Sequence, residues 1–172
     1  AIYDYHVQKL IEVEPHMYRA GEGGNRADVM NRNYVQGLIG RICLYNGGYA
    51  TRRTDLGADF HVDGEGNTLT FDDWSVEKNN AIYGRRSDWK KLYAIAEKYL
   101  QECVNNPGSI VLHTVDPRTK GANGQEYGNP YQYIFQQMHA GDNVTLADES
   151  VYEIPQEYNY SSDRPAYIGR PS

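Results

Sequence analysis

The sequence predicts an α+β fold that is mainly helical, with one small β-hairpin and an extended C-terminal arm. Two patterns and a loss of pattern predict it. Apolar residues recur at helical spacing in three long stretches. Around residues 57–71 that spacing gives way to short apolar runs flanking a Gly-rich turn. After residue 144 no sustained period remains. The expected organisation is therefore a globular domain over residues 1–143 and an arm over 144–172.

Each element has its own signal. In residues 4–13, Val7, Leu10 and Ile11 share a helix face, and Pro15 ends or kinks the helix because proline lacks the N–H a helix needs. Tyr18 to Asn25 holds Gly21, Gly23 and Gly24 and is expected to be a loop or a broken helix turn. Val35, Leu38, Ile39, Ile42 and Cys43 form the apolar face of a second helix, stopped by Asn46-Gly47-Gly48. Phe60, Val62, Leu69 and Phe71 flank Asp63-Gly64-Glu65-Gly66-Asn67, the expected hairpin. Asp72 to Arg86 reads as polar and irregular. Ser87 is the expected N-cap of a helix burying Trp89, Leu92, Ile95, Ala96, Tyr99, Leu100 and Cys103, ended by Asn105-Asn106-Pro107-Gly108. Ser109 to Val115 is expected as a short strand, Asp116 to Pro130 as an ordered loop, and Tyr131 to Met138 as a final helix. Residues 144–172 contain three Pro, four Tyr and five acidic residues against two Arg, which suits an arm lying on the domain or reaching a protein partner.

Composition limits the function. The chain has 172 residues, 40% of them hydrophobic and 23% charged, which is ordinary globular usage and argues against full disorder. A net charge of -6 argues against broad nucleic-acid binding, which needs a basic footprint. No apolar run approaches the roughly 20 residues of a membrane span. The first residues show no basic-then-apolar export signal, and the compartment stays unknown. Sixteen Tyr against three Phe favour wet surfaces, since the ring is apolar and its tip polar. Cys43 and Cys103 form no CxxC pair. Asp59, His61, Asp63 and Asn67 alternate as calcium-loop ligands do, but Thr70 stands where the closing Glu belongs, so a metal-free hairpin is expected. His61, His113 and His139 lack zinc spacing, and the pairs Arg52-Arg53, Arg85-Arg86 and Lys90-Lys91 read as solvated basic spots. No cofactor or metal is implied.

The segment Tyr18-Arg19-Ala20-Gly21-Glu22-Gly23-Gly24-Asn25 is the main candidate for chemistry. Glycines beside one carboxyl group let a bulky polymer approach it, and glycoside cleavage needs an acid to protonate the leaving oxygen. A second candidate is Asp116-Pro117-Arg118-Thr119-Lys120-Gly121-Ala122 with Tyr127-Gly128-Asn129-Pro130, a turn-rich loop able to wall a groove.

In order, these pieces resemble the spore-cortex-lytic type of cell wall hydrolase, a lysozyme-like family that also appears in phage lysins. The matching pieces are Tyr18 with Glu22, the helix Val35 to Asn46, Phe71-Asp72-Asp73-Trp74, the helix Trp89 to Leu100, the Asp-Pro loop with Gly121-Ala122, and Tyr127 with Asn129-Pro130. Gly37-Leu38, fifteen residues after Glu22, is similar to a pair in lytic transglycosylases. The resemblance implies peptidoglycan glycan-strand cleavage by a muramidase or lytic transglycosylase, with Glu22 catalytic. Tyr18, Trp74, Tyr127 and Asn129 would bind substrate, and a phage lysin or virion-associated enzyme is the implied setting. The alternative expectation is a non-enzymatic viral or assembly protein whose residues 144–172 pack on neighbouring subunits or a homo-oligomer partner.

Overall fold

The computed structural model describes residues 2–24, 28–56, 61–118, 127–137 and 149–152. Helix α1 (Ile2–Val13) runs into a 3-10 turn at Glu14–His16, with Pro15 in its first turn, where a missing N–H costs nothing. Helix α2 (Arg32–Gly47) is capped by Asn31, whose Oδ1 accepts from Tyr34 N at 3.0 Å. Strands β1 (Ala50–Arg53), β2 (Phe71–Asp72) and β3 (Ala81–Arg86) form an antiparallel sheet in the order β1-β3-β2. Helix α3 (Trp89–Asn105) and the short α4 (Pro130–Gln137) follow. The fold is α+β, as the sequence predicts.

The core lies between α1, α2 and α3. Val7, Val35, Ile39, Cys43, Leu92, Ala96 and Tyr99 form it, with Leu10, Ile11, Ile42, Ile95 and Leu100 packed at its edge. The two long helices approach closely because Gly40 and Gly47, seven residues apart on one face of α2, carry no side chain. A Cβ on Gly40 would lie 2.5 Å from Leu100 Cγ, and one on Gly47 would lie 3.0 Å from the Tyr93 ring. Burial pushes the Cys43 thiol up to about 11, as expected of a core cysteine rather than a nucleophile.

The structure corrects four expectations. Asp72 to Arg86 is not irregular, because it contains β3, the central strand of the sheet. Its inward positions are Ile82, Gly84 and Arg86, so glycine and arginine hide the apolar alternation. Gly84 is small because Trp74 lies against it, with Trp74 Cβ 2.6 Å from where a glycine Cβ would be. Asn79 and Asn80, both at positive φ, make the two-residue turn entering β3.

Arg86 is not a solvated basic residue. Its side chain is 2% exposed, and it binds Asp4 (2.8 Å), Asp88 (2.7 Å) and Asn46 (3.1 Å), tying β3 to α1, α2 and the start of α3. Ser87 is not the N-cap of α3. Asp88 holds that position, and Ser87 Oγ instead pairs with Thr70 Oγ1. Ser109 to Val115 is not a strand. Ser109 N donates to Ala20 O and Ile110 N to Pro107 O, and none of the three strands pairs with the segment. Val111, Leu112 and Val115 are exposed there.

The expected hairpin is small: Val62 bridges Thr68 antiparallel, and Phe71 leaves it to pair with Arg86. Asp59, Phe60, the 119–126 part of the Asp-Pro loop, Met138 and most of the arm lie outside the described residues. No helix among the described residues is long and apolar enough to cross a membrane.

Candidate functional site

Glu22 sits on a turn held at the N-terminal end of α2. Arg32 N donates to Tyr18 O at 2.8 Å, and Ala20 N donates to the buried Asn33 Oδ1 at 3.1 Å. Asn33 Nδ2 in turn donates to Asn106 O at 2.8 Å, which locks the turn to the end of α3. Gly21 and Gly108, both at positive φ, allow that lock: a Cβ on Gly21 would strike Ser109, and one on Gly108 would strike Ala20 O.

On this base the Glu22 carboxylate is exposed, and its Oε2 accepts the Arg19 N–H at 2.7 Å. The exposed Tyr18 ring lies beside Gly23, 3.3 Å from where a Cβ there would sit. The structure thus brings Tyr18 and Glu22 together. Glu102, the neighbouring acid, is held by Arg19 at 2.7 Å and by Asn106 Nδ2 at 3.1 Å.

Trp74 is 54% exposed and lies at the other end of the helical pair, beside the sheet. The 16 residues of α2 separate its environment from Glu22, a length of about 24 Å at helical rise. Tyr127 and Asn129 belong to a third place. The Asp116 carboxylate there accepts from Arg118 N (3.0 Å), Arg118 Nη2 (2.8 Å) and Gly128 N (3.0 Å), pinning the loop on both sides. These bonds hold Asp116 well below the usual carboxylate range, the Arg118 side-chain bond foremost. Arg118 in turn lies 4.2 Å from the Tyr127 ring centroid. Asn129 plays a structural part, since its Oδ1 accepts from Tyr131 N at 3.0 Å and starts α4.

Asp63 also has local employment. Its carboxylate accepts from Glu65 N (2.8 Å), Asn67 N (2.9 Å) and Asn67 Nδ2 (2.9 Å), closing the small hairpin. A cleft of about 320 Å3 lies between this turn, α1 and α3, floored by Val7, Ile11, Leu92 and Ile95. Arg86 at its base is already bound by Asp4 and Asp88. Of the sequence-predicted candidates Asp63 lines it, whereas Glu22, Tyr18, Trp74, Tyr127 and Asn129 do not.

Sequence reasoning missed a different surface. Tyr49, directly after the C-terminal cap of α2, stacks on Tyr83 of β3 with centroids 5.7 Å apart and planes 21° apart. The Arg85 guanidinium lies 5.1 Å from the Tyr49 centroid and 3.9 Å from the Trp89 centroid. Trp89 meets Tyr93 edge-on at 5.2 Å. Tyr49 OH donates to Asp73, which also lies 4.0 Å from Arg85. The result is one row, Tyr83–Tyr49–Arg85–Trp89–Tyr93. Its signal in the sequence is the alternation of Tyr83 and Arg85, which share a strand face once β3 is recognised.

Comparison with family models, with curated proteins and with solved structures finds no match for this chain.

Proposed function

We propose that the protein cleaves the glycan strands of peptidoglycan, as a muramidase or lytic transglycosylase of lysozyme-like type, with Glu22 as proton donor. The observation that carries this reading is the Tyr18–Glu22 turn. An acid and an aromatic ring stand exposed together on a backbone anchored at both ends, with glycines on either side of the acid. A saccharide ring can stack on Tyr18 while the Glu22 carboxyl reaches its glycosidic oxygen.

In the free protein the carboxyl is open to water, whereas a proton donor at neutral pH needs a drier site. The bound strand would have to exclude that water. Glu22 would protonate the leaving oxygen. It would then act as base, either for a water molecule, which gives hydrolysis, or for the sugar's own hydroxyl, which gives an anhydro product. Glu102 is engaged by Arg19, which suits a mechanism with a single acid rather than a carboxylate pair.

The test is incubation of the folded protein with purified peptidoglycan and mass spectrometry of the soluble products. Reducing-end or anhydro muropeptides that disappear with Glu22→Gln are expected. No fragments from the folded wild-type chain, or full activity in Glu22→Gln, would overturn the proposal.

A second reading, an assembly protein, draws on the arm. Val151 O accepts from Asn31 Nδ2 at 2.8 Å, and Tyr152 packs on Tyr34 with centroids 4.6 Å apart, so this part of the chain has a docking place at the start of α2. An equivalent segment from a neighbouring subunit could use the same place.

A further inference from the structure

We propose that the cleft between α1, α3 and the Asp63 turn is a binding site for a small aliphatic amine, an ammonium head on an apolar tail. This site is independent of the Glu22 reading, since neither Glu22 nor Tyr18 lines the cleft.

Its walls are fixed by the fold. Helices α1 and α3 both pack on α2, and the space between them stays open. The floor belongs to the core: Val7 and Leu92 are buried, and Ile11 and Ile95 pack beside them. The turn on the third side is closed by the Asp63 carboxylate, which accepts from Glu65 N and Asn67 N. Gly64 sits so near α1 that a Cβ there would lie 2.9 Å from Asp4 Cβ. A volume of about 320 Å3 is at the small end of ligand pockets, which run to roughly 1,000 Å3.

The two ends of the cleft differ. Arg86 binds Asp4 at 2.8 Å and Asp88 at 2.7 Å, which brings the first turns of α1 and α3 together. Asp63 stands close enough for the charge of Arg86 to help lower its carboxyl, after the Asn67 side-chain bond. This end therefore holds three carboxylates, Asp4, Asp63 and Asp88, against one guanidinium. Seven residues along α1, about 10 Å at helical rise, the lining has become Ile11 and Ile95. Glu12 beside them is held by Lys9 at 2.7 Å. Lys91 is the other cation of the lining, exposed on its rim. Over the whole lining five acids face two bases.

This lining selects among ligands. Ionised carboxylates only accept hydrogen bonds, and an ammonium only donates them, three at once. The excess of acids disfavours a carboxylate or phosphate ligand. Among the described residues no aromatic side chain lines the cleft, so a quaternary ammonium or a stacked sugar lacks the ring that would hold it. A lysine of another protein would lay its own peptide group over Ile11 and Ile95, which offer it no hydrogen bond. A free alkylamine matches both ends.

The test follows backbone amide shifts of the full chain by NMR during titration with hexylamine at pH 7, with hexanol and hexanoate as controls. Saturable shifts at residues 7–11, 63–65 and 91–95 are expected with hexylamine, with Kd on the order of 1 mM for so few atoms. Hexanol should bind about fivefold more weakly, and hexanoate should not bind. Lys91→Gln removes a repelling charge from the rim and should tighten hexylamine about threefold. Asp63→Asn should weaken it by about the same factor and leave hexanol unchanged. If Asp63→Asn disturbs the turn, the exposed Lys91→Gln still decides.

No preference for hexylamine over hexanol, shifts lying outside these residues, or an unchanged affinity in Lys91→Gln would each overturn the proposal. Tighter binding of Nα-acetyllysine methylamide than of hexylamine would also overturn it, by giving the cleft to a protein side chain.

Discussion

Single residues carry the joints of this molecule, and most of them are polar. Asn33 is fully buried and bridges the Glu22 turn to the end of α3. Glu14 is buried beside Arg32 at 2.7 Å and beside Gln36. Burial alone would raise the Glu14 carboxyl. Hydrogen bonds from Arg32 and Gln36, with the charges of Arg32 and Arg19, outweigh it and leave the group lowered.

A carboxyl lowered in the folded state contributes stability above its unfolded value of about 4.3, and that contribution is lost as pH falls through the folded value. The urea midpoint of the wild-type chain is therefore expected to drop as pH is taken from about 5 towards 3. Glu14→Gln should lose about 1–3 kcal/mol at pH 7, since Arg32 loses its ion pair with Glu14, and its pH slope should be shallower. Urea melts across that range check both effects, and equal slopes in the two proteins would refute the role given to Glu14.

At the level of elements, the contact between α2 and α3 organises everything else. Its apolar face is legible in the sequence because helical spacing exposes it directly: Val35, Ile39, Cys43, Leu92, Ala96 and Tyr99 all reach the core. The role of Gly40 is not legible, because only the facing Leu100 shows why a side chain is excluded. Gly40→Ala should cost about 1–2 kcal/mol net, with overpacking against Leu100 outweighing the better helix propensity of alanine. In a Leu100→Ala background the same change should become neutral or stabilising. Chemical denaturation of the four proteins in this cycle measures the coupling, and simple additivity would show that the close approach has no energetic weight.

The sheet is the least legible element. The turn residues Asn79-Asn80 are in plain view, but an inward Gly84 and an inward Arg86 conceal the period of β3.

For the molecule as a whole, the arm and the distribution of candidate sites matter most. Residues 151 and 152 lie on Asn31 and Tyr34, at the mouth of the helix that carries the Glu22 turn. Deleting residues 149–172 opens the Asn31 side chain to water and removes the Tyr34 ring contact. A loss of about 1 kcal/mol is expected, because Asn31 can still cap α2 through Oδ1. Thermal melts of the truncated and full chains test this, and an unchanged midpoint would mean that the contact adds nothing to stability. The same truncated chain discriminates between functions: an enzyme should still cleave, whereas an assembly protein should no longer associate.

Local spacing is enough to specify the α+β class, the three long helices, the stop at Gly48 and the pairing of Tyr18 with Glu22 on one turn. Each of these depends on neighbours within a few residues. Packing between distant segments is needed to place Trp74 an α2 length away from Glu22, to bury Arg86 among carboxylates, and to set Tyr49 and Trp89 on either side of one arginine. Those facts join residues far apart in the chain, and they arise only once two glycines let α2 and α3 close together and β3 enters the middle of the sheet.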